Sequence, residues 1–253
     1  MNRSPSFRSL AAISLLACTT PALAQTDDAA AKQRAAAVED ERLHQDWPWL
    51  GRYQAANAAL KPSKAQRIVL MGDSITQGWI DKVPGFFTEG RLDRGISGQT
   101  TPQMLLRFRQ DVIALKPAIV QIMGGTNDIA GNTGPMTPEQ TQATIMSMTE
   151  LAQAHGIRVI LASIPPAASF PWRPGLATIP RIAAMNAWLK TYAASVGATY
   201  ADYWTALHDG DALRRDLTYD GVHPNEAGYA VMAPVAEQAI RAASAAAPKG
   251  HRS

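Results

Sequence analysis

Three short stretches hold the side chains that could do chemistry: Met71-Gly72-Asp73-Ser74-Ile75, Gly124-Gly125-Thr126-Asn127-Asp128 and Asp220-Gly221-Val222-His223. The first sets a serine directly behind the apolar run from Ile68 to Met71. The last spaces an acid and an imidazole three residues apart. The middle one offers a side-chain amide behind a second apolar run, Ala118 to Met123. A nucleophile, a base with an acid to orient it, and a hydrogen-bond donor are the parts that acyl transfer from an ester requires.

Each signal also has a plainer meaning. Ser74 or Asp73 could simply cap the segment that follows. The second glycine of a G-x-S-x-G elbow is replaced by Thr76, which argues against the usual α/β-hydrolase fold. Asp220 can hold one ring nitrogen of His223 and leave the other free to take a serine proton, but an Asp–His contact can equally be structural. Asn127 can point into a site or bond its own turn. Gly98, in Gly95-Ile96-Ser97-Gly98-Gln99-Thr100-Thr101, either shapes a turn or lends its N–H to a developing oxyanion. A metal is not indicated. The chain lacks H-E-x-x-H, and no second histidine stands at ligand spacing.

The elements that must carry these residues follow from hydrophobic pattern. Strand-like runs cover Ile68 to Met71, Leu92 to Gly95, Ala118 to Met123, Val159 to Ile164 and Thr199 to Tyr203. Helical patterns fall near 100–115, 138–155 and 179–196, with a last helix from about Asn225 that carries Tyr229, Met232, Val235, Ala236 and Ile240. Alternating strands and helices predict an α/β fold, a parallel sheet of about five strands with helices on both faces. Continuous apolar runs fit strands buried on both sides. In such sheets ligands bind at the carboxyl ends of strands, where Ser74, Gly98 and Asn127 would all lie.

The chain has 253 residues, 46% of them hydrophobic, which suits one sizeable core. Charged residues make up 18% and the net charge is +3; no basic cluster interleaves with aromatics, so no nucleic-acid partner is indicated. Residues 1–24 read as a signal peptide. Arg3 and Arg8 precede the short apolar stretch Leu10 to Ala17, Pro21 breaks it, and Ala22-Leu23-Ala24 supplies the cleavage site, leaving Gln25 first. The stretch is too short for a membrane span. The competing reading takes Leu15-Leu16-Ala17-Cys18 as a lipoprotein site, with Cys18 lipidated. Cys18 is the only cysteine, so the exported chain would carry no disulfide. Residues 25–60 read as a helical leader, which Trp47-Pro48-Trp49-Leu50 docks onto the core. Residues 61–243 read as the main domain, and 244–253 as a disordered tail.

Four site signals in fixed order, each at a strand end, resemble the SGNH (GDSL-type) hydrolases. The matching positions are Ser74, Gly98, Asn127 and His223, with Asp220 as the third triad member, from about Arg67 to about Ala243. The blocks are most similar to the branch of platelet-activating-factor acetylhydrolase-like and bacterial carbohydrate-esterase-like enzymes. The resemblance implies a flavodoxin-like three-layer α/β/α domain. It implies catalysis by Ser74, Asp220 and His223, and an oxyanion hole from the N–H groups of Ser74 and Gly98 and the amide of Asn127. It implies no cofactor and no metal. Ile75 replaces the Leu of the family name, and Gln99 stands where aspartate is common, which bears on how the Gly98 loop is held.

The substrate is less defined. Ser169-Phe170-Pro171-Trp172-Arg173-Pro174-Gly175 follows the fourth strand, so Phe170, Trp172 and Arg173 are candidate rim residues for the acyl or alcohol part, unless the loop is only structural. Without a long apolar lid, short acyl esters of small molecules or glycans fit better than long-chain lipids. The alternatives are acyl transfer to a sugar and a non-catalytic glycan-binding protein on the same fold.

Overall fold

A computed structural model describes Met1 and residues 21–62, 65–88, 90–210 and 212–246. Most of the expected signal peptide, including Cys18, and residues 247–253 of the expected tail lie outside them. The described chain divides into Met1–Gln45 and a unit from Asp46 onward. The first holds helix α1 (Pro21–Gln45), whose side chains from Ala29 onward are mostly exposed. Glu39 pairs with Arg42, and Glu41 accepts from Gln45 at 2.8 Å.

The second unit is built on five parallel strands: β1 (Ile68–Gly72), β2 (Arg91–Gly95), β3 (Ile119–Met123), β4 (Arg158–Ala162) and β5 (Thr199–Ala201), in the order β2-β1-β3-β4-β5. This is the flavodoxin-like order, with its switch point between β1 and β3. Every residue of β1 and β3 is buried, because both faces are covered. Val69, Met71, Val120, Ile122, Val159 and Leu161 pack toward α4 (Thr101–Asp111), α6 (Pro138–Ala154) and α7 (Thr178–Val196). Ile68, Leu70, Ile119 and Ile160 pack the other way, toward α3 (Ser74–Lys82), α8 (Tyr203–Leu207) and α9 (Glu226–Ala245). Trp79 of α3 centres that second core, stacked on Phe86 at 4.5 Å and on Tyr229 at 5.6 Å. The three-layer α/β/α architecture is the one expected.

Several boundaries differ from the apolar pattern for local reasons. The fourth run stops at Ala162, because Ile164 gives both its N–H and its carbonyl to Asn186 and Pro165 has no N–H. The fifth run stops at Ala201, because Asp202 caps α8 by accepting from Thr205 N at 3.0 Å. The segment after Ser74, which shows no helical pattern in the sequence, is helix α3. A further helical piece, α5 (Thr126–Ala130), follows β3 after Gly124 and Gly125. Helix α9 runs to Ala245, past the expected start of the tail at 244, since Ile240 and Ala243 still face the core.

The unit also begins earlier than the boundary expected at residue 61. The carbonyls of Trp47, Pro48 and Leu50 accept from Gln103, Gln99 and Gln110. The segment then forms helix α2 (Gln54–Ala58), where Asn57 donates to Asp111 at 2.8 Å. Docking is therefore polar and through the backbone, while Trp47 itself stays 37% exposed. Among the described residues, no helix is long and apolar enough to cross a membrane.

Candidate active site

The carboxyl ends of β1, β2 and β3 converge at the switch point, and the candidate residues gather there. Ser74 is the first residue of α3. The cap of that helix is Asp73, whose Oδ1 accepts from Ile75 N at 3.0 Å. The Ser74 hydroxyl is therefore free of cap duty, and its Oγ lies 2.9 Å from His223 Nε2. His223 Nδ1 lies 2.7 Å from Asp220 Oδ2.

The loop that presents His223 is tightly wired. The Thr218 hydroxyl donates to the His223 carbonyl at 2.6 Å and accepts from Asp220 N and Gly221 N. Asp220 Oδ1 accepts from Val222 N and His223 N at 2.9 and 2.8 Å. Burial pushes the Asp220 carboxyl up, but these N–H groups and the imidazole outweigh it and hold the carboxyl below its usual range. Asp220 is thus an anion at neutral pH, so Nδ1 must donate to it. Nε2 is left with its lone pair toward Ser74, the arrangement a general base needs. Tyr219 stacks on the imidazole, with centroids 5.7 Å apart and planes 10° from parallel, and Trp172 approaches it at 6.2 Å.

The donor side comes from the next two strands. Gly98 sits at φ +77 with open space where a Cβ would be, so glycine is there for its backbone conformation and not for room. Its neighbours are anchored on both sides. Ser97 N donates to Gln77 Oε1 at 2.7 Å. Gln99 accepts from Arg107 Nε at 2.6 Å and donates to the Pro48 carbonyl at 2.8 Å. Glutamine in place of the common aspartate can do both, and the fully buried Arg107–Asp111 pair thereby reaches the Gly98 loop. Asn127, on α5, is 3% exposed; its Nδ2 donates to the Gln99 carbonyl at 3.0 Å and, at a longer 3.4 Å, toward Asp73 Oδ2.

Two buried carboxylates stand beneath these groups. Burial pushes Asp73 up to about 6, against the Ile75 N–H and the attraction of His223. Asp128 is likewise raised by burial, opposed by Thr101, whose N–H and hydroxyl both donate to it. Among the described residues, no group of three His, Cys, Asp or Glu could hold a metal ion.

The rim differs from its expectation. Phe170 is fully buried and offers nothing to a ligand; a turn closed by Arg173 N to the Phe170 carbonyl folds it under, and it supports Trp172 in a stack at 5.1 Å. Trp172 is the exposed member, at 41%. Arg173 is engaged with its own fold, Nε donating to the Ala130 carbonyl at 2.8 Å. Three further residues at the site were not among the expected ones: Asp73, Tyr219 and Asn132. Asp73 lies within the quoted serine block, Tyr219 precedes Asp220, and Asn132 stands five residues after Asn127, just past the end of α5.

Comparison with known proteins places the chain in one family. Residues 70–231 match the model of the GDSL-like Lipase/Acylhydrolase family. The crystal structure of a GDSL-like lipase from Bacteroides thetaiotaomicron is 44% identical, with a TM-score of 0.75 over 78% of this chain and 98% of that one. Esterase TesA of Pseudomonas aeruginosa is 32% identical over 114 residues, 40% of this chain and 55% of that protein. The uncharacterized lipoprotein YqeF of Bacillus subtilis is 32% identical over 118 residues, 39% of this chain and 48% of that protein. The chain thus spans about half the length of the curated relatives it matches.

Proposed function

The chain belongs to the GDSL-like lipase/acylhydrolase family, and from that membership we propose a serine esterase that releases short acyl groups, acetyl above all, from small-molecule or sugar esters. The observation that carries this is the continuous line from Ser74 Oγ to His223 Nε2 at 2.9 Å and from Nδ1 to Asp220 at 2.7 Å. Ser74 Oγ attacks the ester carbonyl carbon while its proton passes to Nε2. Asp220 stabilises the imidazolium so formed. The oxyanion is held by the N–H groups of Ser74 and Gly98 and by the Asn127 amide. Collapse expels the alcohol, which takes the proton from Nε2, and leaves acyl-Ser74. Water, deprotonated by His223, repeats the attack and frees the acid.

The short-chain reading rests on the rim. Trp172 is backed by buried Phe170 and Arg173 is bonded to Ala130, which supports a braced wall that would not follow a long tail. Each methylene that fits an apolar pocket is worth roughly 0.8 kcal/mol, about fourfold in kcat/KM, and a short pocket cannot collect that gain. On p-nitrophenyl esters, kcat/KM should peak between acetate and butyrate and fall by octanoate, and Trp172→Ala should flatten the profile. A rate climbing steadily to decanoate refutes it. Acetylated xylan and peptidoglycan belong in the same panel; an acetylated acceptor sugar in place of free acetate would mean transfer, and no turnover of any ester would mean a binding protein.

Export follows from residues 1–24, with a mature terminus at Gln25. A lipidated Cys18 is the competing reading, favoured by the description of the Bacillus relative as a lipoprotein. The intact mass of the exported protein separates the two.

A further inference from the structure

One exposed side chain outside the triad touches both carriers of the oxyanion donors. Asn132 Nδ2 donates to Asn127 Oδ1 at 2.8 Å and, at 3.4 Å, toward the Gly98 carbonyl. Its backbone N–H also donates to the Asn127 carbonyl at 3.0 Å. Its other side-chain polar atom, Oδ1, accepts from Trp172 Nε1 at 3.0 Å. An unbroken hydrogen-bonded line therefore runs from the exposed rim indole, through Asn132, to the buried Asn127 amide.

We propose that Asn132 is a positioning residue that fixes which way the Asn127 amide faces, and that Trp172 holds Asn132 to that task. The proposal rests on Asn127 being an oxyanion donor. A primary amide has two ends of nearly equal shape and opposite polarity. With its oxygen engaged by Asn132, Asn127 must turn Nδ2 toward Gln99, Asp73 and the reaction centre. Were the amide reversed, an acceptor would face the developing negative charge. Trp172 selects the same orientation one step out: its indole is a donor only, so Asn132 must offer it Oδ1 and keep Nδ2 for Asn127.

The test compares five variants, four single and one double, by kcat and KM on p-nitrophenyl acetate, with melting temperature as the folding control. Asn132→Asp keeps the acceptor for Trp172 but loses the donor, and its charge repels Asn127 Oδ1, favouring the reversed amide. It should lower kcat on the order of 100-fold, the scale of one lost oxyanion donor, with KM little changed. Asn132→Ala leaves Asn127 Oδ1 to water and should cost less, roughly tenfold. Trp172→Phe keeps the ring stack but removes the N–H, and should cost less again. In an Asn127→Ala background, Asn132→Asp should have no further effect on kcat. A residue that merely supports the loop would show the opposite order, with the isosteric Asn132→Asp milder than Asn132→Ala. That order, or an Asn132→Asp loss that persists without the Asn127 amide, overturns the proposal. If Asn127→Ala alone costs less than tenfold, the oxyanion assignment of Asn127 itself falls, and Asn132 with it.

Discussion

Asp220→Asn is the sharpest test of the triad, because the structure separates its scaffolding role from its chemical one. Asp220 Oδ1 accepts from Val222 N and His223 N, and an asparagine oxygen can keep both bonds. Oδ2 accepts from His223 Nδ1 at 2.7 Å. There the new amide presents N–H, so Nδ1 must become an acceptor and the ring proton moves to Nε2. His223 would then offer Ser74 a proton instead of taking one. In a buried triad that tautomer trap costs on the order of 10⁴ in kcat. Here the Asp220 side chain is 30% exposed and that of His223 19%, so water can compete for Nδ1 and screen the lost charge. We expect a loss of about 10²- to 10³-fold in kcat/KM on p-nitrophenyl acetate at pH 7.5. The melting temperature should move little, since the loop bonds survive. Fluorophosphonate labelling of Ser74 should slow in parallel. A loss under tenfold, with folding intact, would refute the claim that Asp220 orients the base.

Ser74→Ala should abolish ester turnover and fluorophosphonate labelling without unfolding, because Asp73, not Ser74, caps α3; label surviving in that variant would point to another nucleophile. Asp73→Asn should trade activity for stability. The Asp73 carboxyl titrates near 6 in the fold against an ordinary 3.8, so the native state binds its proton more tightly than the unfolded chain does. The cost of ionising it is present in full above pH 6 and is relieved as pH falls toward 4. That cost is on the order of 3 kcal/mol at most. The variant should therefore be more stable than wild type by urea melts at pH 8, and the gain should shrink at pH 5. Its kcat should drop, since the Asp73 charge favours the His223 imidazolium. A stability difference independent of pH would contradict the burial argument.

What the sequence made legible was what depends on neighbours in the chain. Runs of Ile, Val and Leu mark strands buried on both faces, and Asp220 meets His223 inside one turn, so spacing alone foretells the contact. What stayed hidden depends on segments far apart. Asn132 joins the rim through Trp172, forty positions on, and Gln99 acquires its role only when Arg107 and Pro48 arrive from either side. Phe170 and Trp172 read as equivalent rim aromatics, because no local pattern says which ring a turn folds inward. Helix α3 was missed for a similar reason. Gly78 weakens its helical pattern, yet a Cβ there would come within 2.9 Å of the Tyr229 hydroxyl, itself bonded to the Ile75 carbonyl.

The same helix bears on the two meanings of Gly-Asp-Ser. If Ser74 capped α3, its hydroxyl would be committed to a backbone N–H and unavailable to His223. The cap falls one residue earlier, on Asp73, and this has two consequences. Ser74 becomes the first helical residue, so its own N–H is among those that a helix leaves without an internal partner, and the helix dipole favours negative charge near it. The carboxylate that does the capping is forced into the core, where burial raises it toward 6 and aims its charge at the imidazole. A serine cap would have been cheaper for stability. An aspartate cap leaves the proposed nucleophile, its N–H and a counter-charge on two consecutive residues, and Asp73→Asn removes that charge, with the Oδ2 acceptor that Asn127 Nδ2 approaches at 3.4 Å, while the Oδ1 cap can remain.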